Sequence, residues 1–362
     1  MAHTGKTVLL NPYLAGMTRA DLHEVCLKAS AKPVHAATLM AYTHRHLVRD
    51  VKQIPDIPKS LRIHLESLPG CERIVLADEQ CSRDGTRKLL LRLANDDLVE
   101  TVLIPSSGRL TLCISTQIGC ALGCRFCLTA SDGLKRNLRA SEMIAQIRIA
   151  QGRADKRIRN LVLMGMGEPL HNFREVARLI RIVTDPLGMA FSPKRVTVST
   201  SGLVPGIYRM IEEALPCNLA ISLHASRDEI RNKIMPVNRR YPISTLMRAA
   251  RDFCSHTGKR ILIEYVLLAE VNDSREDAYR LAGLIQGLPC TINLLPFNES
   301  RGSPYRRPGQ ARVSAFRSVL SDAGYVTVVR ESRGKDILAA CGQLRTKTIE
   351  KSRRSETGIL AA

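Results

Sequence analysis

The chain has 362 residues, 44% of them hydrophobic, which is enough for about two domains with a real core. Lys and Arg number 54 against 34 Asp and Glu, and this +20 charge is spread along the chain, so a polyanionic partner is expected, nucleic acid before a membrane surface. No run approaches about 18 consecutive apolar residues, so no transmembrane helix is indicated; MAHTGKTVLL lacks a secretory signal's apolar core; and with 4% aromatics and no Trp an aromatic stacking sheet is excluded.

Residues 1 to about 55 read as short helices. MTRADLHEVCLKA has Thr18 as a cap ahead of apolar residues at helical spacing, and HAATLMAYTHRHLV is a second candidate. IPDIP at 54–58 is a break. Then come a helix, SLRIHLESL, and three β-prone runs, RIVLAD, KLLLRLA and LVETVLIP. Residues 1–105 are therefore expected to form a small N-terminal α+β accessory domain.

From 106 to 345 strands and helices alternate. The strands read TLCIST, NLVLMGM, RVTVSTS, NLAISLH, RILIEYVLL and TINLLPF, with a late VTVVRES. The helices read SEMIAQIRIAQG, FREVARLIRIVT, DEIRNKI, ISTLMRAARDFC, SREDAYRLAGLI and VSAFRSVL. This is the pattern of βαβ units on a parallel sheet. Six units suffice for an open α/β partial barrel and fall short of a closed eight. Residues 346–362 are expected to be a basic, flexible tail.

In such sheets the working residues sit at the C-terminal ends of the strands. The distinctive residues fall there: the cysteine loop after strand one, GMGEP (165–169) after strand two, STSG (199–202) after strand three, SLH (222–224) after strand four and Asn298 after strand six. Eleven cysteines, an odd number without a secretory signal, argue for a reducing cytoplasm, where clustered thiols bind metal or do chemistry.

GCALGCRFC puts Cys120, Cys124 and Cys127 in a C-x-x-x-C-x-x-C spacing. A structural zinc needs a fourth ligand, for which His224 or another cysteine could serve, and zinc ribbons pair two C-x-x-C knuckles instead. Packing alone is a further reading. A [4Fe-4S] cluster on three thiolates keeps one iron free of protein. That iron can take a ligand with amino and carboxylate donors, and S-adenosylmethionine (SAM) has both.

The spacing, at the end of the first strand of a partial barrel, resembles the radical-SAM superfamily, and GMGEP resembles its second motif. A closer resemblance runs from about residue 97 to 345, more weakly in the N-terminal helices. CISTQIGCALGCRFCLTASDGLKRNL, VLMGMGEPLHN, VTVSTSGLVP, LAISLHA, INLLPFN and RGKDILAACGQL are similar to the RlmN/Cfr family of RNA adenosine methyltransferases. LAACGQL is the most specific of these, because it supplies a lone cysteine far downstream. The fold implied is a partial (β/α)6-type radical-SAM barrel with an N-terminal accessory domain.

The resemblance implies further roles. Cys120, Cys124 and Cys127 would hold the cluster, which cleaves SAM to a 5′-deoxyadenosyl radical. Gly167, Glu168, Ser199, Ser222, Leu223, His224 and Asn298 would bind SAM. C2 of adenine is electron-poor, so the family uses two SAM molecules: one methylates a cysteine, matched by Cys341, and the second yields the radical that activates this methyl group. Cys113 matches the thiol that resolves the protein–RNA adduct through a transient disulfide. Glu100 matches the acceptor of the ring proton. The remaining cysteines read as packing residues. The basic run Lys135, Arg136 and Arg139, with Arg239, Arg240, Arg301, Arg306 and Arg307, is expected to help bind RNA.

The expected activity is thus cytoplasmic C2 methylation of adenosine in 23S rRNA and in tRNA beside the anticodon, by a monomer fed by an external one-electron reductant. Rivals are C8 methylation by the other branch of the family, a radical-SAM activase for another protein, and a zinc-stabilised RNA-binding protein without catalysis.

Overall fold

A computed structural model describes residues 7–344 except 11, 49, 69–71, 107, 300 and 301. Cys71, Arg301 and the tail from 346 lie outside the described residues. The strands are β1 (Thr7–Leu10), β2 (Glu72–Cys81), β3 (Arg87–Arg92), β4 (Leu98–Ser106), β5 (Arg109–Cys113), β6 (Gln117–Gly119), β7 (Leu134–Asn137), β8 (Ile158–Leu163), β9 (Val196–Thr200), β10 (Asn218–Ser222), β11 (Ile261–Leu267), β12 (Cys290–Pro296) and β13 (Thr327–Val329).

Eleven of these make one sheet in the order β1-β2-β3-β4-β5-β8-β9-β10-β11-β12-β13. From β5 to β13 every neighbour is parallel, and this is the partial barrel. From β1 to β5 every neighbour is antiparallel. The accessory strands therefore extend the barrel's own sheet. The boundary expected at 105/106 falls inside the β4–β5 pairing, where Pro105 faces Leu110 and Ser106 faces Arg109.

Alternation along the strands sets which side chains reach the lumen. On β9, Val196, Val198 and Thr200 are buried, while Thr197 and Ser199 are half-buried. On β11, Ile263, Tyr265 and Leu267 join the main core, and Tyr265 packs on Phe316 of the helix Gln310–Asp322 at 5.2 Å between ring centroids. Glu264 and Val266 must then face inward. Parallel register carries that face sideways, through Ser222 opposite Glu264 and Glu264 opposite Asn293.

The helices stand close to expectation at Arg19–Lys28, His35–His44, Lys59–Glu66, Ala140–Arg153, Phe173–Thr184, Asp228–Ile234, Ile243–Thr257, Arg275–Leu284 and Gln310–Asp322. Thr18 caps the first, accepting from Asp21 N at 3.2 Å while Asp21 accepts from Thr18 N at 2.8 Å. Three elements differ from the sequence reading. Residues 7–10 form an edge strand where a helical region was expected. Val204–Glu212 is a helix, started by Pro205 in its first turn. The short β6–β7 hairpin brackets the cysteine loop.

Candidate active site

Backbone hydrogen bonds stitch the GMGEP turn to the end of β5. Thr116 N and Gln117 N both donate to Met166 O, at 2.8 and 3.2 Å, and Gly165 N donates to Ile114 O at 3.0 Å. Gly167 has φ +101°, and a Cβ there would stand 2.6 Å from Gln117 Cβ. Only glycine lets the turn close onto β6. This delivers Glu168 beside the cysteine loop. Its carboxylate accepts from Ser201 N at 2.8 Å and Leu170 N at 3.1 Å, and burial nevertheless pushes its pKa up.

The cysteine loop is pinned by Cys120 N to Gly133 O at 2.9 Å, Arg125 N to Ile234 O at 3.0 Å and Leu128 N to Gly342 O at 2.7 Å. Burial raises the Cys124 thiol well above its ordinary value, and the neighbouring Cys127, Cys120 and Glu168 charges add to this. Burial also pushes Cys120 up to about 11. The three thiols thus share one electrostatic neighbourhood. Among the described residues no group of three or more His, Cys, Asp or Glu converges as ligands of a single ion. Zinc would hold each thiolate about 2.3 Å from one point. A cluster takes one thiolate per iron, so three loop cysteines fit a cluster that keeps one iron open, whereas a structural zinc asks for four ligands.

Along the rim, Ser199 and Ser222 are half-buried and Leu223 is fully buried. His224 has φ +57°, and its Nδ1 accepts from Val266 N at 3.0 Å, which leaves the ring proton on Nε2. Burial and then Arg231 push its pKa down to about 3, so the ring is neutral. Phe126 of the cysteine loop meets it edge-on, at 5.1 Å between centroids. Asn298 Oδ1 is buried without a hydrogen-bond partner. Such an orphan acceptor costs stability unless a ligand satisfies it, and SAM's amino and hydroxyl donors suit it.

Cys113 lies on β5 at the lumen, directly opposite Val102 and Val162. Burial raises its pKa strongly, and the second contribution is the charge of Cys341. Two cysteines more than two hundred positions apart are thus brought within electrostatic reach. Cys341 is accessible to water, yet protein surrounds it closely enough to push its thiol up to about 11. Both hold for a residue lining an open chamber. Glu264, Cys127 and Arg330 are the charges around it.

Glu100 is buried and faces the same side of the sheet as Val102, hence as Cys113. It is not the exposed strand carboxylate that its position near the accessory domain allows. Its Oε1 lies 3.3 Å from Lys88 Nζ, itself almost fully buried.

The basic run after the loop departs from expectation. Asp97 takes Lys135, as well as Arg136 Nε at 2.6 Å, and Glu142 takes Arg136 Nη2 at 2.8 Å. Burial would raise Asp97, but hydrogen bonds from Lys135 and Arg136 outweigh it and hold the carboxyl below its usual value. These cations are committed within the protein, because β7 runs back beside the β3–β4 turn. Arg306 and Arg307 pair with Glu270 and Glu331. By contrast, Arg125, Arg239 and Arg330 are exposed, and of these Arg330 acts on the Glu264 carboxyl through its charge.

Sequence reasoning missed Arg231 and Glu264. Arg231 is fully buried and donates to Leu223 O at 2.8 Å, Asn238 Oδ1 at 2.9 Å, Ser201 O at 2.7 Å and Ser222 O at 3.1 Å. It ties the ends of β9 and β10 together. In sequence it sits within an ordinary charged helix and carries no signal.

The Radical SAM superfamily matches residues 114–282. The chain is 44% identical over 335 residues to the dual-specificity RNA methyltransferase RlmN of Syntrophotalea carbinolica, covering 92% of this chain and 90% of that protein. It is 42% identical over 365 residues to the protein of the same name from Paracoccus denitrificans, covering 96% and 93%. The crystal structure of a radical SAM methyltransferase from Sphaerobacter thermophilus superposes with a TM-score of 0.83 at 42% identity, covering 91% of this chain and 98% of that one.

Proposed function

The chain belongs to the RlmN-like radical-SAM family, and from that premise we propose that it methylates C2 of adenosine in the peptidyl-transferase region of 23S rRNA and in tRNA beside the anticodon. The relatives' name, dual-specificity RNA methyltransferase, supports this over the C8 branch. What supports it is that the fold brings Cys341 within electrostatic reach of both Cys113 and Cys127 of the cysteine loop. A radical-SAM activase has no use for that pair.

Cys120, Cys124 and Cys127 would hold a [4Fe-4S] cluster, and Gly167, Glu168, Ser199, Ser222, Leu223, His224 and Asn298 would line the SAM site. Bound there, the cluster would supply the one electron that cleaves SAM to methionine and a 5′-deoxyadenosyl radical. Cys341 works in both halves of the cycle. Its thiol first loses a proton and takes a methyl group from one SAM. Its S-methyl then loses a hydrogen atom, and the carbon bonds to C2 of the flipped adenine. The adduct radical would return one electron to the oxidised cluster and give its C2 proton to the Glu100 carboxylate. Cys113 Sγ attacks Cys341 Sγ, the sulfur–carbon bond breaks, and the released carbon takes a proton to become the methyl group. The Cys113–Cys341 disulfide needs two electrons, from an external dithiol that becomes a disulfide itself, before the next cycle. The enzyme acts as a monomer in the cytoplasm, where its RNA substrates and a one-electron reductant are found. The N-terminal residues 1–105 add a docking face for folded RNA.

Mass spectrometry of digested rRNA and tRNA from cells with and without this chain tests the reading. Loss of 2-methyladenosine on deletion is expected. A change confined to 8-methyladenosine moves the assignment to the other branch, and no change refutes it.

A further inference from the structure

Cys341 belongs to a segment held at both ends. On its C-terminal side Gly342 O accepts from Leu128 N at 2.7 Å, and Leu344 O accepts from Thr129 Oγ1 at 2.8 Å, so the cysteine loop holds that end. The N-terminal side is held by the turn between β2 and β3. Ser82 Oγ donates to Asp336 Oδ1 at 2.6 Å, and Arg83 N donates to Asp336 Oδ2 at 3.2 Å. Gly334 N donates to Asp84 Oδ2 at 3.0 Å, while Asp84 Oδ1 accepts from Thr86 N at 2.9 Å.

The contact is also steric. Gly334 has φ +64°, and a Cβ there would stand 2.8 Å from Ala339 Cβ and 3.0 Å from Thr86 Cγ2. Thr86 is fully buried under it. Ala339 N returns to Gly334 O at 2.9 Å, closing a turn that ends two residues before Cys341. A chain of direct contacts thus runs from Thr86 through Gly334 to Ala339.

We propose that the β2–β3 turn is the seat of the Cys341 segment, with Asp84 and Asp336 as positioning residues that aim Cys341 into the lumen. This rests on the reading of Cys341 as methyl carrier. It gives the antiparallel extension a part in the chemistry that RNA docking alone does not. Three hydrogen bonds from the turn and a close-packed glycine on a segment only eleven residues long (334–344) are more than a passing contact needs. The segment has to be ordered when Cys341 receives the methyl group, and it has to yield when the sulfur moves to Cys113.

The test uses the cluster-loaded, full-length protein, with Asp84→Ala and Asp336→Ala singly and together. Hydrogen exchange reads the seat directly, whatever the segment does chemically. Amides 334–342 are expected to exchange about tenfold faster or more for each carboxylate lost, while protection in β8 to β12 stays at the wild-type level. Methylated adenosine formed per SAM cleaved is expected to fall about tenfold or more, with iron content unchanged. Asp336→Asn, which can still accept from Arg83 N and donate to Ser82 Oγ, should restore most of both. Unchanged exchange at 334–342 overturns the proposal. So does faster exchange with wild-type coupling, because the seat then positions nothing. Loss of iron or of barrel protection overturns it too, because the turn then supports the whole fold. If wild-type Cys341 is never S-methylated, the methyl-carrier reading fails instead, and the exchange measurement still decides the seat.

Discussion

Phe126 and His224 meet in a T-shaped ring contact, joining the cysteine loop to the end of β10. Phe126 also packs against a second apolar cluster of Ala225, Ile234, Val266 and Phe297 beneath the loop. The aromatic pair is worth about 0.5–1.5 kcal/mol beyond the area it buries. Phe126→Leu should keep most of the packing and lose that term, so SAM affinity should fall by roughly twofold to tenfold. A double-mutant cycle with His224→Asn, read by SAM binding to the cluster-loaded protein, should show coupling of that size. Additive effects would mean the rings touch without helping each other.

The exposed cations make a second test. Lys135 and Arg136 are bound to Asp97 and Glu142, whereas Arg125, Arg239 and Arg330 are exposed. Each phosphate contact contributes about 0.7–0.9 to the log–log salt slope of RNA binding. Replacing Arg125, Arg239 and Arg330 together by Gln should flatten that slope by about 2–3. Arg136→Gln should leave the slope nearly unchanged and instead destabilise the fold, because Asp97 and Glu142 lose their buried counter-charge. Filter binding at several salt concentrations, with thermal unfolding alongside, separates the two.

How much was legible in the sequence follows from where information is local. The six main strands, the helices beside them and the cysteine loop announce themselves by periodicity and spacing. Helix Val204–Glu212 does not, because Pro205 and Gly206 at its start read as a turn, yet Gly206 is there to pass close to Leu170. The pairing of β4 with β5 joins the accessory strands to the barrel, and no run of residues encodes it. Arg136 reads as a surface cation until β7 is seen beside Asp97. Arg231 binds backbone carbonyls from two other loops, so its neighbours in sequence say nothing of its role. Cys341 was found by a resemblance. Its seat on the β2–β3 turn joins residues about 250 apart and is visible only in the fold.

Away from the site, His44 makes a pH test. It is buried, and neither ring nitrogen has a hydrogen-bond partner. Burial, and then the Arg148 charge, hold its pKa well below 6.5. The unfolded chain therefore binds the proton that the folded one refuses. Stability from this group is present above about pH 6.5 and is lost as pH falls below it, by at most about 1.4 kcal/mol per pH unit. His44→Leu removes both the titration and the unpartnered nitrogens, so its unfolding free energy should depend less steeply on pH between about 6.5 and 4.5. Urea melts across that window check it. An unchanged slope would place the acid sensitivity on other groups.

The division of labour among the cysteines gives the last test. Cys120, Cys124 and Cys127 share one loop, while Cys113 lies on β5 within electrostatic reach of Cys341. Replacing any loop cysteine by Ala should abolish iron binding and SAM cleavage. Replacing Cys113 or Cys341 should leave the iron in place, and loss of iron from the Cys341 variant would refute the division. On the proposed mechanism the adduct on Cys341 needs Cys113 for release, and Cys113 lies within electrostatic reach of the Cys341 sulfur. Cys113→Ala should therefore accumulate RNA attached covalently through Cys341. The double variant Cys113→Ala with Cys341→Ala should carry none, because the attachment point is gone. Misfolding would leave both proteins inactive and free of RNA, so the contrast between them is informative. Each variant is purified, denatured and examined by mass spectrometry for bound nucleotides. If the single variant carries no RNA, or the double variant carries as much, Cys113 and Cys341 are not the resolving and methyl-carrying pair.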